Sequence, residues 1–346
     1  MKKAVFIFSG LRKQLLTEIQ SGKAPDTRLY GMNHIRGFET SIFEFGDTMI
    51  GKYSAGIIGF RPRHALSYFW VRSADIVCGS SLLFLMPFRA LFKGKAKYVF
   101  LNMSLNRFLV VNSKNVLLRK ISRWLVSRLD RIVSLSTSQM NELDIRFGIP
   151  KEKLSYVPLG VDISFYQLKY GGRKDYILSV GKDNGRDYET VVKVAKQMPQ
   201  IQFRLVLEKR NLASIRSIPP NIEVLCNVNI VELCRMYNEA ALLLLITHRD
   251  GHEDGSDCSG QTVLLDAMAT GLPVIATKKA YIQDYAVDGS EIILVEPYDA
   301  SGIKKTLETI TAEKKKSLAR AARARVEKDF SSVKMGERLS GVFESL

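Results

Sequence analysis

The clearest structural signal in the chain is the stretch SGQTVLLDAMATGLPVIAT, residues 259–277. Its first part, residues 262–270, is rich in Leu, Ala and Met and predicts a helix that Gly271 and Pro273 end. The apolar run 274–277 follows at once and predicts a buried strand. A helix that passes into a strand through so short a turn is typical of parallel α/β sheets.

The same alternation of strands and helices continues on both sides of this stretch. Apolar runs predict strands at residues 4–8, 76–78, 98–101, 132–135, 154–157, 176–180, 203–207, 241–246 and 291–295. Helical patterns occupy residues 136–147, 188–197, 303–310, 314–326 and 333–343. The sequence therefore predicts an α/β protein of two tandem Rossmann-like doubly wound domains, which bind ligands at the carboxyl ends of their strands.

A turn-rich segment, residues 158–162, and a polar segment, residues 167–174, separate the two series of elements. We expect the domain boundary there, with a first domain at residues 1–160 and a second at 161–330. An ordinary surface loop within one domain is the alternative.

The net positive charge of the chain comes almost entirely from its first half. The 346 residues include 51 Lys and Arg against 35 Asp and Glu, a formal net charge of +16. Residues 1–170 hold 26 basic and 11 acidic side chains, whereas the remainder holds 25 and 24. This asymmetry predicts an anionic partner for the first half: a membrane surface, a charged acceptor or a nucleic acid. A lysine-rich soluble domain is the alternative.

Residues 81–133 combine this charge with apolar side chains. The segment contains eleven Lys and Arg against the single acid Asp130, interleaved with residues such as Phe84, Phe92 and Trp124. The mixture predicts peripheral docking on an anionic membrane, although part of the apolar set must also pack the domain core. Nucleic-acid binding is not expected, because the aromatic residues are not clustered with the cations as stacking requires.

The cysteine pattern and the length of the apolar runs agree with a protein that docks on a membrane without crossing it. Cys78, Cys226, Cys234 and Cys258 form no C-x-x-C pair, which favours reduced thiols in the cytoplasm over disulfides or structural zinc. The best candidate for a membrane span, residues 76–88, has 13 residues where about 20 are needed. We therefore expect a cytoplasmic protein that is peripheral on the inner face of the cell membrane.

The loop at residues 181–186 places two cations, Lys182 and Arg186, before a predicted helix. A helix N-terminus disfavours cations, and a bound anion held by both cations and the helix amides would resolve the conflict. Neutralisation by Asp183, Asp187 and Glu189 in a solvated turn is the alternative.

A second long loop, residues 248–261, leads from a predicted strand into the helix at 262–270. Ser259 and Gly260 allow close approach of a ligand to the backbone, and Asp266 lies on a helix face of small residues that would suit a ribose diol. An exposed helix Asp is the alternative. His248 and His252 are four residues apart, but a loop does not align them for a metal, so a polar rim is the favoured interpretation.

These motifs give the chain a family resemblance. The stretch at 259–276 resembles the family 4 glycosyltransferases of the GT-B fold, as do RIVSLS at 131–136, FGIP at 147–150 and VPLGVD at 157–162. The segment from Val180 to Tyr188 looks like the phosphate-binding segment of that family. The resemblance covers roughly residues 125–346.

The resemblance implies a retaining, metal-independent hexosyltransferase in surface polysaccharide synthesis, with two domains facing across a cleft. The donor, a UDP- or GDP-sugar, would lie on the second domain, and a glycan or lipid-linked acceptor on the first. A terminal helix, residues 331–346, would pack back on the first domain. Lys182 and Arg186 inherit the catalytic role on the donor diphosphate, and the predicted donor-binding residues are Gly181, Cys258, Ser259, Gly260, Gln261, Thr262 and Asp266. No cofactor or metal is expected.

The chain departs from the family in two places. The family has paired glutamates eight residues apart, and their positions fall on Cys258 and Asp266. Asp254 or Asp257 is a candidate substitute for the first. Asn102, Met103 and Ser104 stand where relatives often have a His. A sugar-nucleotide epimerase or hydrolase, a nucleic-acid-binding or nucleic-acid-modifying protein and a non-catalytic relative are the alternative functions.

Overall fold

The computed structural model describes residues 1–8, 10, 12–44, 66–167, 172–213, 215–252 and 258–346. Contacts divide the chain into two compact units. The first unit comprises residues 1–21, 28–158 and 333–346, and the second comprises residues 22–27 and 159–332. No sequence feature assigned residues 22–27 to the second unit. Hydrogen bonds hold them there: the Asp26 N–H donates to Asp162 Oδ2 (3.1 Å), and the Asp162 N–H donates to Thr27 Oγ1 (3.1 Å).

A parallel sheet forms the first unit, in the order β2-β1-β3-β4-β5-β6. Its strands are β1 (Lys2–Ile7), β2 (Phe38–Ile42), β3 (Ile76–Gly79), β4 (Lys97–Asn102), β5 (Arg131–Ser134) and β6 (Leu154–Tyr156). The sequence analysis missed β2, because this edge strand of sequence FETSI has few apolar residues and three positions that are not buried. The inner strands are buried and apolar, as both faces of a parallel sheet are covered.

The sheet of the second unit is also parallel, in the order β9-β8-β7-β10-β11-β12. Its strands are β7 (Tyr176–Val180), β8 (Gln202–Leu207), β9 (Ile222–Cys226), β10 (Leu242–Leu245), β11 (Val274–Thr277) and β12 (Ile293–Val295). If β7 is counted as the first strand of this unit, the order is 3-2-1-4-5-6, which is the arrangement of the Rossmann fold. The direction of strand addition reverses between β7 and β10, so ligands are expected where the loops after these two strands begin.

Helices connect the strands in both units. They are α1 (Lys13–Gln20), α2 (Tyr68–Val71), α3 (Met86–Leu91), α4 (Leu105–Ser113), α5 (Val116–Ser127), α6 (Thr137–Ile145), α7 (Tyr188–Gln197), α8 (Lys209–Leu212), α9 (Ile230–Glu239), α10 (Gln261–Ala269), α11 (Ala300–Thr309), α12 (Ala312–Asp329) and α13 (Ser332–Glu344). Helix α6 is N-capped by Ser136, as the sequence predicts: its Oγ accepts from the Gln139 N–H (3.2 Å). No helix in the described part of the chain is long and apolar enough to cross a bilayer.

Helix α13 packs in the first unit through aromatic and glycine contacts. The Phe343 ring meets Phe38 edge-on, with 5.5 Å between ring centres. Gly336 lies against the backbone of the 31–34 turn, where a Cβ would be only 2.6 Å from the Gly31 carbonyl oxygen. Burial of these apolar side chains holds the C-terminal segment in place.

Candidate functional site

The loops that follow β7 and β10 meet at the switch point of the second sheet. The His248 N–H donates to the Gly185 carbonyl (2.9 Å), and the Asp187 N–H donates to the Ile246 carbonyl (3.1 Å). Arg186 and Thr247 form an isolated antiparallel bridge between the same loops. The structure therefore brings together two segments that the sequence analysis selected separately.

Arg186 is buried where these loops meet, and two glycines make room for it. Its side chain is 3% exposed. A Cβ at Gly181 would overlap Arg186 Nε, and a Cβ at Gly260 would lie 2.7 Å from Arg186 Nη1. Gly260 also has a φ of 98°, a backbone conformation that favours glycine. Both predicted glycines thus form the walls of an arginine site.

The hydrogen-bonding capacity of Arg186 is only partly used. Its Nη2 lies 3.5 Å from Asp183 Oδ2. Nε and Nη1 are buried and have no hydrogen-bond partner among the residues that the structure describes. A buried donor left unpaired costs about 1–3 kcal/mol, more when it is charged. The guanidinium is therefore poised to donate to an anion such as a phosphate.

The three acidic residues near this loop have separate roles. Burial raises the pKa of Asp183, but Arg186, the Ser259 hydroxyl and the Gly185 N–H together lower it below its ordinary value. Asp187 is the N-cap of α7, where its Oδ1 accepts from the Thr190 N–H (3.0 Å). Glu189 lies 3.9 Å from Arg216. Of these three acidic residues, only Asp183 lies within ion-pair distance of Arg186.

Lys182 occupies a different environment from Arg186. Its side chain is exposed, and its carbonyl accepts from Arg210 Nη2 (2.7 Å). Of the two cations predicted in this loop, Lys182 is therefore at the surface and Arg186 is buried.

The start of α10 is held by a residue that the sequence analysis did not select. The buried Tyr281 hydroxyl donates to the Ser259 carbonyl (3.0 Å). Helix α10 begins at Gln261, one residue before the predicted start, and the Gln261 N–H donates to the Cys258 carbonyl (3.1 Å). Gln261 is buried, Cys258 is half-buried and Thr262 is exposed.

Asp266 is buried within the second unit. It is 4% exposed, so the alternative of an exposed helix Asp is wrong. Its side chain shares a hydrogen bond with Tyr166, whose pKa is raised well above its usual value by burial and by the nearby Asp266 charge. Helix α12 covers the end of α10 that carries the small residues, where Arg323 Nη1 donates to the Ala269 carbonyl. Arg323 therefore occupies the Ala269 end of the small-residue face that the sequence analysis offered to a ligand, whereas Thr262 on that face is exposed.

Lys279 lies beside the second loop and was also missed. It is 5% exposed, and its Nζ lies 3.0 Å from Asp250 Oδ1 and 3.3 Å from the His248 carbonyl. The available signal was its position directly after the predicted strand at 274–277, at the carboxyl end of β11. The ion pair ties the loop after β10 to the end of β11.

The two loop histidines stack on each other. Their ring centres are 4.0 Å apart, with 15° between the planes. Across the described ranges, no group of three His, Cys, Asp or Glu side chains is placed to hold a metal ion. Asp254 and Asp257, the candidate substitutes for the first family glutamate, lie outside the described residues.

A buried amide network occupies the position in the first unit where relatives often have a His. Asn102 Nδ2 donates to Asn106 Oδ1 (2.8 Å), and the Leu105 N–H donates to Asn102 Oδ1 (2.9 Å). Asn106 Nδ2 donates in turn to Glu142 Oε2 (2.7 Å). These bonds fix the turn between β4 and α4, so Asn102 serves the backbone there.

Helix α5 presents apolar and basic side chains to solvent. Leu117 is 65% exposed, and the other exposed apolar side chains are Val116, Leu118, Ile121 and Trp124. The Arg128 guanidinium lies over the Trp124 ring, 5.4 Å from its centre. Arg89 lies over the buried Tyr98 ring at 4.7 Å and also pairs with Asp130 (2.7 Å). Each contact pairs one cation with one ring, and the Tyr98 ring is buried, so the prediction that the aromatic residues are not clustered with the cations as stacking requires stays a prediction.

Two Rossmann-type units, with a buried cation at the switch point of the second, define a two-domain α/β protein with a candidate anion site. Residues 186–313, within the second unit, match the family model of the glycosyl transferases group 1. Together with the fold, this match confirms the resemblance found in the sequence: the second unit is similar to the glycosyl transferases group 1, and the chain has the two-unit GT-B fold.

Solved structures confirm the GT-B fold along the whole chain. A glycosyltransferase from Rickettsia africae superposes with a TM-score of 0.67 at 13% identity, covering 99% of this chain and 98% of that chain. Anabaena HepE, in complex with UDP and glucose, gives 0.70 at 15% identity and covers all of both chains. Sucrose-phosphate synthase from Thermosynechococcus elongatus gives 0.72 at 14% identity, covering 99% of both. No curated protein matches the chain.

Proposed function

We propose that this protein is a glycosyltransferase that transfers a sugar from a UDP- or GDP-sugar to a glycan or lipid-linked acceptor, with retention at the anomeric carbon. The observation that carries the proposal is Arg186, a buried guanidinium at the switch point, walled by Gly181 and Gly260, with two nitrogen atoms that have no hydrogen-bond partner among the described residues. The donor diphosphate is the anion that satisfies it. The complex of Anabaena HepE with UDP and glucose supports a uridine donor.

The leaving diphosphate gains negative charge as the sugar departs, and the site is built to stabilise that charge. Arg186 donates from a site with little water, the amides at the start of α10 add their dipole, and Lys182 adds a second cation at the surface. Ser259, Gly260, Gln261 and Thr262 line the approach from the other loop. Asp266 reaches the ribose in this scheme after exchanging its Tyr166 hydrogen bond for a ribose hydroxyl.

These cations supply the charge that a divalent metal provides in other transferases, so the proposed reaction is metal-independent. We expect turnover to persist in EDTA. Loss of turnover in EDTA that magnesium restores would contradict this part of the proposal.

The acceptor is assigned to the first unit, with the protein peripheral on the inner face of the cell membrane, in surface polysaccharide or glycoconjugate synthesis. The exposed face of α5 supports this placement, because apolar side chains for insertion lie among Lys and Arg that attract anionic lipid. A lipid-linked acceptor would then be presented at the basic unit.

The test is a thermal-shift panel of UDP, GDP, ADP and dTDP and their common sugars on the wild type, Arg186→Ala and Arg216→Ala. Arg216 is an almost fully exposed arginine of the same unit and controls for the loss of one charge. A ligand at a hundred times its Kd adds about 2.7 kcal/mol to the unfolding free energy. We expect one nucleotide to stabilise the wild type and Arg216→Ala but not Arg186→Ala. Equal stabilisation of all three proteins would overturn the assignment of Arg186.

Product analysis then separates the transferase from its nearest alternative. Glycosylated acceptor from the nucleotide-sugar is the expected product. Conversion of the donor to an epimer or to free sugar at the same rate without any acceptor would identify an epimerase or a hydrolase instead.

A further inference from the structure

Asp183 lies on the solvent side of the arginine site. Its side chain is 42% exposed, whereas the Arg186 side chain behind it is 3% exposed. The nearest atoms of the pair, Asp183 Oδ2 and Arg186 Nη2, are 3.5 Å apart. A dissolved anion that approaches Nη2 from this side therefore meets a carboxylate first, and the two negative charges repel each other.

The position of Asp183 is fixed by groups from both loops. Its Oδ1 accepts from the Gly185 N–H (2.9 Å), and its carboxylate also accepts from the Ser259 hydroxyl. Gly185 permits this packing, since a Cβ there would lie 2.7 Å from Asp183 Oδ1 and would overlap Ser259 Oγ. Two hydrogen bonds, one from each loop, hold the carboxylate beside Arg186, which distinguishes it from a mobile surface acid.

We propose that Asp183 is an internal counter-ion of Arg186, which the donor diphosphate displaces on binding and which returns when the nucleotide product leaves. This inference rests on the proposed function, in which Arg186 binds the diphosphate. The carboxylate satisfies one face of a buried guanidinium in the unliganded protein. Because it competes with phosphate oxygens for Nη2, it weakens nucleotide affinity and speeds product release, while Nε and Nη1 remain for the ligand.

The charge can be removed with little change in shape. Asp183→Asn keeps an oxygen that can accept from the Gly185 N–H, and it replaces the second oxygen and the negative charge by a neutral NH2 group. We expect the Kd for the nucleoside diphosphate that binds the wild type to fall about twofold to fivefold, the upper range of an exposed ion pair. The change should appear mainly in the dissociation rate. The Kd for inorganic pyrophosphate should also fall in Asp183→Asn, because Asp183 competes with the phosphate oxygens and does not contact the base in this scheme.

Glu189→Gln is the matched control. It removes the same charge from the first turn of α7, where Glu189 lies near Arg216 and not near Arg186. We expect less than a twofold change in Kd. An equal gain in both variants would show that general electrostatics, and not the Asp183–Arg186 pair, sets the affinity.

Comparison of the two single variants, Arg186→Ala and Asp183→Asn, separates this inference from the proposed function. If Arg186→Ala binds nucleotide as well as the wild type, the proposed function fails. If Arg186→Ala abolishes binding while Asp183→Asn weakens binding or leaves it unchanged, only the counter-ion inference fails. Asp183→Ser, which also keeps an acceptor, must give the same direction as Asp183→Asn, and it replaces that variant if the asparagine protein does not fold.

Discussion

A Cβ at residue 260 would lie 2.7 Å from Arg186 Nη1, so the glycine that precedes α10 and the arginine that precedes α7 fit each other directly. The two residues come from different loops, which meet only because β7 and β10 are neighbours in the sheet. The anion site therefore depends on the sheet order as well as on the residues themselves.

Gly260→Ala is expected to weaken nucleotide binding at least tenfold. The new methyl carbon would lie 2.7 Å from Arg186 Nη1, so the guanidinium must shift. It would also lie 3.2 Å from the Tyr281 hydroxyl oxygen. The backbone conformation alone costs about 1–2 kcal/mol for a residue with a Cβ. Calorimetric titration with the nucleotide measures the first effect, and urea denaturation measures the second.

Gly251→Ala is the control for Gly260→Ala. Gly251 also has a positive φ, 75°, but a Cβ there would meet no atom of the described residues within 4 Å. The control should show the backbone cost in stability without the loss of nucleotide affinity. A similar loss of affinity in both variants would mean that loop strain, not contact with Arg186, governs binding.

Sequence patterns predicted the fold and the outline of this site because they depend on local chemistry. Apolar runs such as residues 176–180 and 274–277 matched β7 and β11 at both ends. The cations before α7 and the Ser259–Gly260 pair marked the two loops. Lys279 and Tyr281 were missed because their roles depend on contacts across the sheet edge, to Asp250 and to the Ser259 carbonyl. The burial of Asp266 was also missed, since its Tyr166 partner is a hundred residues earlier in the chain.

Arg173 is expected to stabilise the fold of the second unit. Its Nη1 donates to the carbonyls of Tyr237, Asn238 and Ala240, and its Nη2 donates to those of Thr270 and Gly271. One guanidinium thus caps the C-terminal ends of both α9 and α10, where a positive charge is favoured. Arg173→Ala should lower the unfolding free energy by about 1–3 kcal/mol. Urea denaturation measures the loss, and Arg216→Ala, at an exposed position, should change it by less than about 0.5 kcal/mol.

Asp75 is expected to contribute to acid sensitivity. The Lys3 N–H, which donates to Asp75 Oδ2 (2.7 Å), and Lys95 lower the pKa of this carboxyl below its ordinary value of 3.8. The unfolded chain therefore takes up the proton at a higher pH than the folded protein does. The stabilisation is complete above about pH 5 and is lost as the pH falls through the lowered folded pKa.

The variant Asp75→Asn removes this titration. Its melting temperature should lie below that of the wild type at pH 6, and the gap should narrow as the pH approaches 3. Asp175→Asn, at an exposed position just before β7, serves as the control and should follow the wild type across the range. A constant gap between Asp75→Asn and the wild type would show that the ionised form of Asp75 does not contribute.

The exposed face of α5 is expected to bind anionic membranes through both its apolar and its basic side chains. The double variant Leu117→Gln with Ile121→Gln removes two exposed apolar side chains without opening a cavity, so its thermal stability should match that of the wild type. Each aliphatic side chain contributes about 1.5–3 kcal/mol when fully buried. Because insertion at an interface is partial, we expect at least a tenfold loss in binding to phosphatidylglycerol vesicles in co-sedimentation.

A matched variant on another helix of the same unit decides whether α5 is the docking face. Ile145 on α6 is more exposed than Leu117, yet it lies outside the basic segment of residues 81–133, so Ile145→Gln should bind vesicles like the wild type. Arg119→Gln with Lys120→Gln should weaken binding at low salt by about 1 kcal/mol per charge and have little effect at high salt, where the attraction is screened. Equal vesicle binding by the wild type and both α5 variants would place membrane contact elsewhere or exclude it, and the acceptor would then have to reach the first unit from solution.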